Sequence, residues 1–293
     1  MIYLTVTIAY AFAVLAVYFW RQARAMRACL RQYAGGRVAR LAPGDVTDCA
    51  GHKTTATICF TDISGFSGIC ESLPAERVSF LLKEIFPPAL EVIRKTGGEV
   101  DKIIGDALLY RHEDARAAVG MVEAVHEALE KAASGIAGKL GCPRLVFTTG
   151  IHTGDVFTCQ IGSAGGFVDF TTIGDAVNTA SRVQGLCKYY GVQALITGKT
   201  FNFAGKPGGY KRLDVITVKG KEQPIEIYAK EPYAAKRLEF EAARTLYAGG
   251  EFAKARQAFA QLGDSFKMWA WRCEQLEKNP PDGWKGVWKW GQK

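Results

Sequence analysis

Between residues 50 and 232 the chain alternates short apolar runs of strand character with longer amphipathic helical stretches, separated by glycine-centred turns. Neither kind of element can bury its apolar side alone, so the alternation demands a sheet with helices packed on it. Strand character falls on residues 57–60, 99–104, 107–110, 145–152, 156–161, 194–197, 210–218 and 225–228. Helical character falls on 75–95, 113–137 and 175–190, with Pro87-Pro88 predicting a break or a fresh start inside the first. Gly105-Asp106 and Gly154-Asp155 each lie between two strand runs and predict hairpin turns. The expected fold class is α+β, one domain over residues 50–232.

The two ends read differently. Residues 1–20 hold no charge, and about 20 apolar residues is the length a helix needs to cross a bilayer. Tyr18, Phe19 and Trp20 are followed at once by Arg21, Arg24 and Arg27. The positive-inside tendency then predicts a transmembrane helix in the cell's inner membrane, with everything after residue 20 in the cytoplasm. A cleaved signal peptide competes with that reading, but the positive region it needs before the apolar run is missing. Residues 21–49 form a basic juxtamembrane linker, broken at Gly35-Gly36 and Pro43-Gly44, that suits either an anionic lipid surface or plain solvation. Residues 233–293 predict a helical cap. In it, 236–248 and 252–261 flank Gly249-Gly250, and Ala242, Tyr247, Ala255 and Phe259 resemble a single tetratricopeptide-type repeat. One repeat forms no solenoid, so the hairpin is expected to pack on the preceding domain, with Trp284, Trp288 and Trp290 folding back as an apolar clasp.

Composition narrows the classes. With 48% apolar residues in 293, the chain can bury a core and is not a disordered or collagen-like protein. The net charge of +8 is carried by the ends and leaves the middle slightly acidic, a poor footprint for a nucleic-acid polymer. Eight cysteines without a Cys-x-x-Cys pair read as reduced thiols rather than a zinc site.

Several residues are candidates for chemistry, each beside a plainer role. Asp62 follows an apolar strand and opens Asp62-Ile63-Ser64-Gly65-Phe66. A carboxylate there, helped by a backbone carbonyl such as that of Ile63, suits Mg²⁺, which takes few protein oxygens and keeps water; helix capping is the other use. Asp106 is either a second metal carboxylate or ordinary turn chemistry. Asn178 and Arg182, four apart on one helix, share a face and together suit a phosphate gathering negative charge, or simply solvation. Gly198-Lys199-Thr200 ends like a phosphate-binding loop, but Gln193 stands where that loop needs glycine.

Taken together, the blocks resemble a known family. Phe60-Thr61-Asp62-Ile63-Ser64-Gly65-Phe66, Gly97-Gly98-Glu99-Val100-Asp101-Lys102-Ile103-Ile104-Gly105-Asp106, Gly150-Ile151-His152-Thr153-Gly154, Phe170-Thr171-Thr172-Ile173-Gly174-Asp175-Ala176-Val177-Asn178-Thr179-Ala180-Ser181-Arg182 and Val218-Lys219-Gly220-Lys221 stand in the order found in class III nucleotidyl cyclases. The stretch from about residue 55 to 229 resembles their catalytic domain, most like that of membrane-anchored bacterial adenylate cyclases. The resemblance implies a ferredoxin-like βαββαβ core and conversion of ATP to cyclic AMP and pyrophosphate in intracellular signalling. It implies that Asp62, Asp106 and the Ile63 carbonyl hold two Mg²⁺ or Mn²⁺, that Lys102 and Thr171 read the purine, that Asn178 and Arg182 serve the transition state, and that Lys219 lies near the triphosphate. Since the family builds its site across a dimer interface, a complete set implies a homodimer with two sites. Each would take Asp62 and Asp106 from one subunit and Lys102, Thr171, Asn178 and Arg182 from the other. Lys102 favours ATP, because guanylate cyclases of the family usually carry Glu there. A guanylate or relaxed-specificity cyclase, or an inactive nucleotide-binding dimerisation module, is the alternative. Asp155 departs from relatives that carry a basic residue after the His-Thr-Gly turn.

Overall fold

The computed structural model describes residues 2–38, 51–162, 168–231 and 233–290. In chain order the elements are α1 (Ile2–Val38), β1 (His52–Ile63), α2 (Phe66–Ser72), α3 (Ala75–Lys95), β2 (Glu99–Ile104), β3 (Ala107–His112), α4 (Ala115–Leu140), β4 (Phe147–Gly162), β5 (Val168–Ile173), α5 (Asp175–Tyr190), β6 (Ala194–Thr197), α6 (Gly198–Phe203), β7 (Tyr210–Thr217), β8 (Ile225–Lys230), α7 (Arg237–Ala248), α8 (Phe252–Leu262), α9 (Lys267–Lys278) and β9 (Trp288–Lys289). The chain divides into two units, one of Met1–His52 with Thr158–Thr172, the other of Lys53–Phe157 with Ile173–Lys293.

Among the described residues the strands run β2-β3-β1-β4-β6-β8-β7-β9 across one mixed sheet, with β5 paired to β4. The period-two alternation of β1 sorts its side chains between two layers. Cys59 and Ile63 join a core with Leu81 and Ile85 of α3 and Val122 and Val125 of α4. Ala56 and Ile58 face the other way, packing with Ala176 and Ala180 of α5. Asp62 shares the parity of Ala56 and Ile58, and so falls on the α5 side of the sheet.

Buried hydroxyls fill the α4 side. The Thr61 hydroxyl shares hydrogen bonds with the Tyr110 hydroxyl at 2.9 Å and the Thr149 hydroxyl at 2.7 Å. His126 Nε2 lies 2.7 Å from that same Thr149 oxygen. Burial holds His126 neutral, pushing it down to about 4.

Four expectations are corrected. Pro87 and Pro88 do not break the helix. They lie on its exposed side, so the carbonyls of Lys83 and Glu84 that they leave unpaired face solvent, while Leu81, Ile85, Phe86, Ala89 and Ile93 stay buried and hold the helix in place. Gly154-Asp155 is no turn, because β4 runs straight through it and the hairpin forms between β4 and β5. Those glycines answer to packing: a Cβ on Gly154 would lie 2.9 Å from the Ala176 Cβ, and one on Gly150 would lie 2.1 Å from the Ala180 carbonyl oxygen.

At the N-terminus, α1 passes through Gly35-Gly36 and ends at Val38; Pro43-Gly44 lies outside the described residues. No helix among the described residues is long and apolar enough to cross a membrane, which corrects the transmembrane reading of residues 1–20. The apolar run opens a 37-residue helix that continues without a boundary into Arg21, Arg24 and Arg27.

The C-terminal region holds a helix the sequence reading missed, α9, and its tryptophans do more than clasp. β9 pairs in parallel with β7, Trp288 opposite Ile216. Phe240, Tyr247, Phe259 and Trp269 join one core with Leu213, Ile216 and Tyr190.

Candidate active site

Two tight turns place the carboxylates. β1 ends at Ile63, and Gly65, at φ 76°, turns the chain into α2. Asp62 is half-buried there, its Oδ1 accepting the Ile63 amide at 2.9 Å. Gly105, at φ 62°, starts the predicted two-residue turn between Ile104 and Ala107, and Asp106 beside it projects to Asp62. Burial and this second carboxyl, within hydrogen-bonding reach, push Asp62 up to about 7. Among the described residues no group of three or more His, Cys, Asp or Glu side chains is placed to hold a metal. Two carboxyls set side by side at a half-open strand end nevertheless fit a hard divalent cation that completes its shell with water and backbone oxygen. Ile63 presents its amide to Asp62, and its side chain is buried in the α4-side core.

α5 carries the next pair. Gly174 lies at φ 148°, its would-be Cβ 3.0 Å from the Asp155 carbonyl oxygen, and the helix begins at Asp175. Asn178 is exposed and Arg182 half-buried. Arg182 lies against the loop after β7: a Cβ on Gly220, itself at φ 73°, would stand 3.4 Å from Arg182 Nη2. Lys221 of the same loop pairs with Asp175, whereas Lys219 is exposed. His152 lies near this loop, its Nδ1 2.9 Å from the Thr197 hydroxyl. Burial, then Lys199 and Lys221, press it down to about 4.

Lys102 lies half-buried on β2, opposite Leu109, just past a register shift between Val100 and Lys102. Such a bulge re-aims the side chain that follows it. Thr171 sits on β5, partly buried, in the unit made of Met1–His52 and Thr158–Thr172. Asp155 turns away from phosphate chemistry, accepting the Thr55 hydroxyl at 2.7 Å and pairing with Lys53 at 3.6 Å.

The structure thus brings Asp62 to Asp106, and Arg182 to the 218–221 loop. Two participants escaped the sequence reading. Gln184 Nε2 donates to the Thr148 hydroxyl at 2.9 Å and reaches Asp62 Oδ2 at 3.4 Å; its signal was the i, i+4, i+8 spacing of Ala176, Ala180 and Gln184 on the sheet-facing side of α5. Lys221, the loop's tether, had no signal distinguishing it from Lys219.

A model of the adenylate and guanylate cyclase catalytic domain matches residues 50–230, and the chain belongs to that family. An adenylate cyclase of Anabaena cylindrica is 34% identical over 180 residues, covering 59% of this chain and 36% of the relative. The chain therefore spans about a third of that protein's length. Among solved structures, the adenylyl cyclase CyaB of P. aeruginosa is 28% identical with a TM-score of 0.55, covering 61% of this chain and 94% of that one. The guanylyl cyclase Cya2 is also 28% identical, with a TM-score of 0.54, covering 62% and 96%.

Proposed function

We propose that this chain is an adenylate cyclase that converts ATP to 3′,5′-cyclic AMP and pyrophosphate in intracellular signalling. The observation that carries the reading is the Asp62–Asp106 carboxyl pair at the end of β1, in a chain of the cyclase family. Asp62 and Asp106, with the Ile63 carbonyl, are the proposed holders of two Mg²⁺ or Mn²⁺. Divalent cations bound there supply Lewis-acid chemistry, lowering the pKa of the ribose 3′-hydroxyl and neutralising phosphate charge. The 3′-oxygen bonds to the α-phosphorus as the bond to the bridging oxygen breaks, and pyrophosphate leaves with that electron pair. Arg182 donates to the phosphoryl oxygens as their charge grows, and Asn178 orients the ribose. Lys102 donates to adenine N1 and Thr171 accepts from the adenine amino group, a polarity that guanine inverts. Lys219, exposed on its loop, is assigned to the triphosphate.

The working form in this reading is a homodimer. Arg182 and Gln184 stand two residues apart on α5, about 200° around its axis. Gln184 points to Asp62 of its own chain, so Arg182 points away from that carboxylate and is free to serve a second subunit's. Ile103 and Ile104, both 47% exposed on the edge strand β2, are apolar surface a partner would cover. For location we propose the cytoplasmic face of the inner membrane. The support is the absence of a disulfide at Cys59, Cys70, Cys159, Cys187 and Cys273 among the described residues and the run of exposed apolar side chains on α1 leading into Arg21, Arg24 and Arg27. Membrane fractionation of cells making the full chain tests it; recovery wholly in the soluble fraction rejects it.

The activity is tested with the full chain, ATP or GTP, and Mg²⁺ or Mn²⁺, beside Asp106→Ala. Cyclic AMP formed by the native chain and lost in the variant is the expected result. Cyclic GMP as main product assigns the guanylate alternative, and no product from a folded dimer assigns the inactive module.

A further inference from the structure

We propose that Arg272, in the C-terminal region, is a positioning residue for catalysis, holding α5 and the 218–221 loop in the register that aims Arg182. The proposal rests on the reading of Arg182 as the group facing the reacting phosphate. Arg272 is fully buried, and its Nη1 donates to Asp214 Oδ2 at 2.6 Å. Nη2 donates to the Tyr190 hydroxyl at 2.9 Å, and that hydroxyl donates to the same Asp214 oxygen at 2.5 Å. The guanidinium carbon lies 4.6 Å from the Trp290 ring and 5.0 Å from those of Trp269 and Trp288. Burial keeps Tyr190 protonated, so it stays a donor.

The ring of bonds closes over three separate segments. Tyr190 is the last residue of α5, and Arg182 lies two turns before it on the same rod. A second bond, from the Tyr233 hydroxyl to the Tyr190 carbonyl at 2.7 Å, pins that end again. Asp214 lies on β7, whose last residue, Thr217, accepts the Trp290 amide at 2.7 Å. The chain then enters the loop whose Gly220 backs Arg182 and whose Lys221 pairs with Asp175. Arg272 therefore holds the rear of both elements that meet at Arg182. Apolar side chains would fill the same space at no loss of stability, but only directed bonds fix the rotation of α5 about its axis. A misplacement of about 1 Å at a reacting group can cost on the order of a hundredfold in rate.

The test compares the full chain with R272K and with R272M/D214N, which leaves no unpaired buried charge and guards against simple unfolding. Circular dichroism and thermal midpoint establish folding; kcat and KM for ATP with Mn²⁺, and hydrogen exchange, are then read. Expected are a kcat roughly ten- to a hundredfold lower, KM within about twofold, and faster exchange in α5 and residues 218–221 with the β2–β3 hairpin unchanged. A folded R272M/D214N with native kcat and native α5 exchange overturns the proposal, as does a loss confined to KM. If the native chain makes no cyclic nucleotide, the cyclase reading fails by itself, and the exchange pattern alone decides whether Arg272 positions α5.

Discussion

Two charged clusters in this molecule are built on opposite terms. Around Asp214, one carboxylate meets one guanidinium, a tyrosine hydroxyl and aromatic faces, and the whole is sealed from water. Around Asp62, two carboxyls meet each other at a half-open strand end, and the nearest neutral donors are a backbone amide and the Gln184 amide. Charge balanced within the chain makes structure. Charge left unbalanced, and held in place by a turn glycine on each side, makes a place for something that is not part of the chain.

Removing one partner from each cluster separates these roles. Arg272→Ala strands Asp214 in an aromatic core and is expected to cost about 3 to 5 kcal/mol, read as a lowered urea midpoint. Asp106→Ala should leave the metal-free midpoint the same or higher, because it relieves Asp62, yet abolish product; a large drop in its midpoint would erase the contrast. Next in size is Arg182→Ala, expected to lower kcat by on the order of 10² to 10³, about 3 to 4 kcal/mol, with an unchanged melting curve.

One part of the fold's pH response comes from the buried neutral histidines, opposed over much of the same range by the raised Asp62. His126 and His152 titrate at about 4 in the folded chain and at 6.5 when unfolded. Their contribution is therefore complete above pH 6.5 and is lost as pH falls through 4, up to roughly 3 kcal/mol each. His126→Gln should flatten that acid limb in a urea series; an unaltered slope refutes the assignment. Smallest is Gln184→Ala, which removes a neighbour that orients Asp62 and is expected to weaken Mn²⁺ binding about tenfold, measured by titration calorimetry. Unchanged binding would leave Gln184 to the packing of α5 on β4.

What the sequence made legible follows the same division. The β2–β3 hairpin, α5 and the strand runs at 194–197, 210–218 and 225–228 were readable because local turn chemistry and periodicity decide them. Asp62 and Asp106 stood out only through the order of the family's motifs, since taken singly each also suits a cap or a turn. Gly154 was misread because a glycine demanded by close packing of a helix on a strand looks in sequence like one demanded by a turn. Pro87-Pro88 was misread because propensity took no account of which face of α3 is buried. Arg272, Tyr190 and Asp214 could not be grouped at all, since three residues on three elements acquire a common meaning only when the sheet is assembled.

The placement of β9 has a consequence for synthesis. β7 is the outermost strand of the sheet until β9 lies beside it, and its partner residues, Trp288 and Lys289, leave the ribosome long after Ile216 and Thr217. For that interval the nascent chain shows a bare strand edge, the kind of surface that recruits the strands of other chains. A ribosome that stalls between β8 and β9 leaves that edge open, so prompt completion of the chain is itself a safeguard against aggregation.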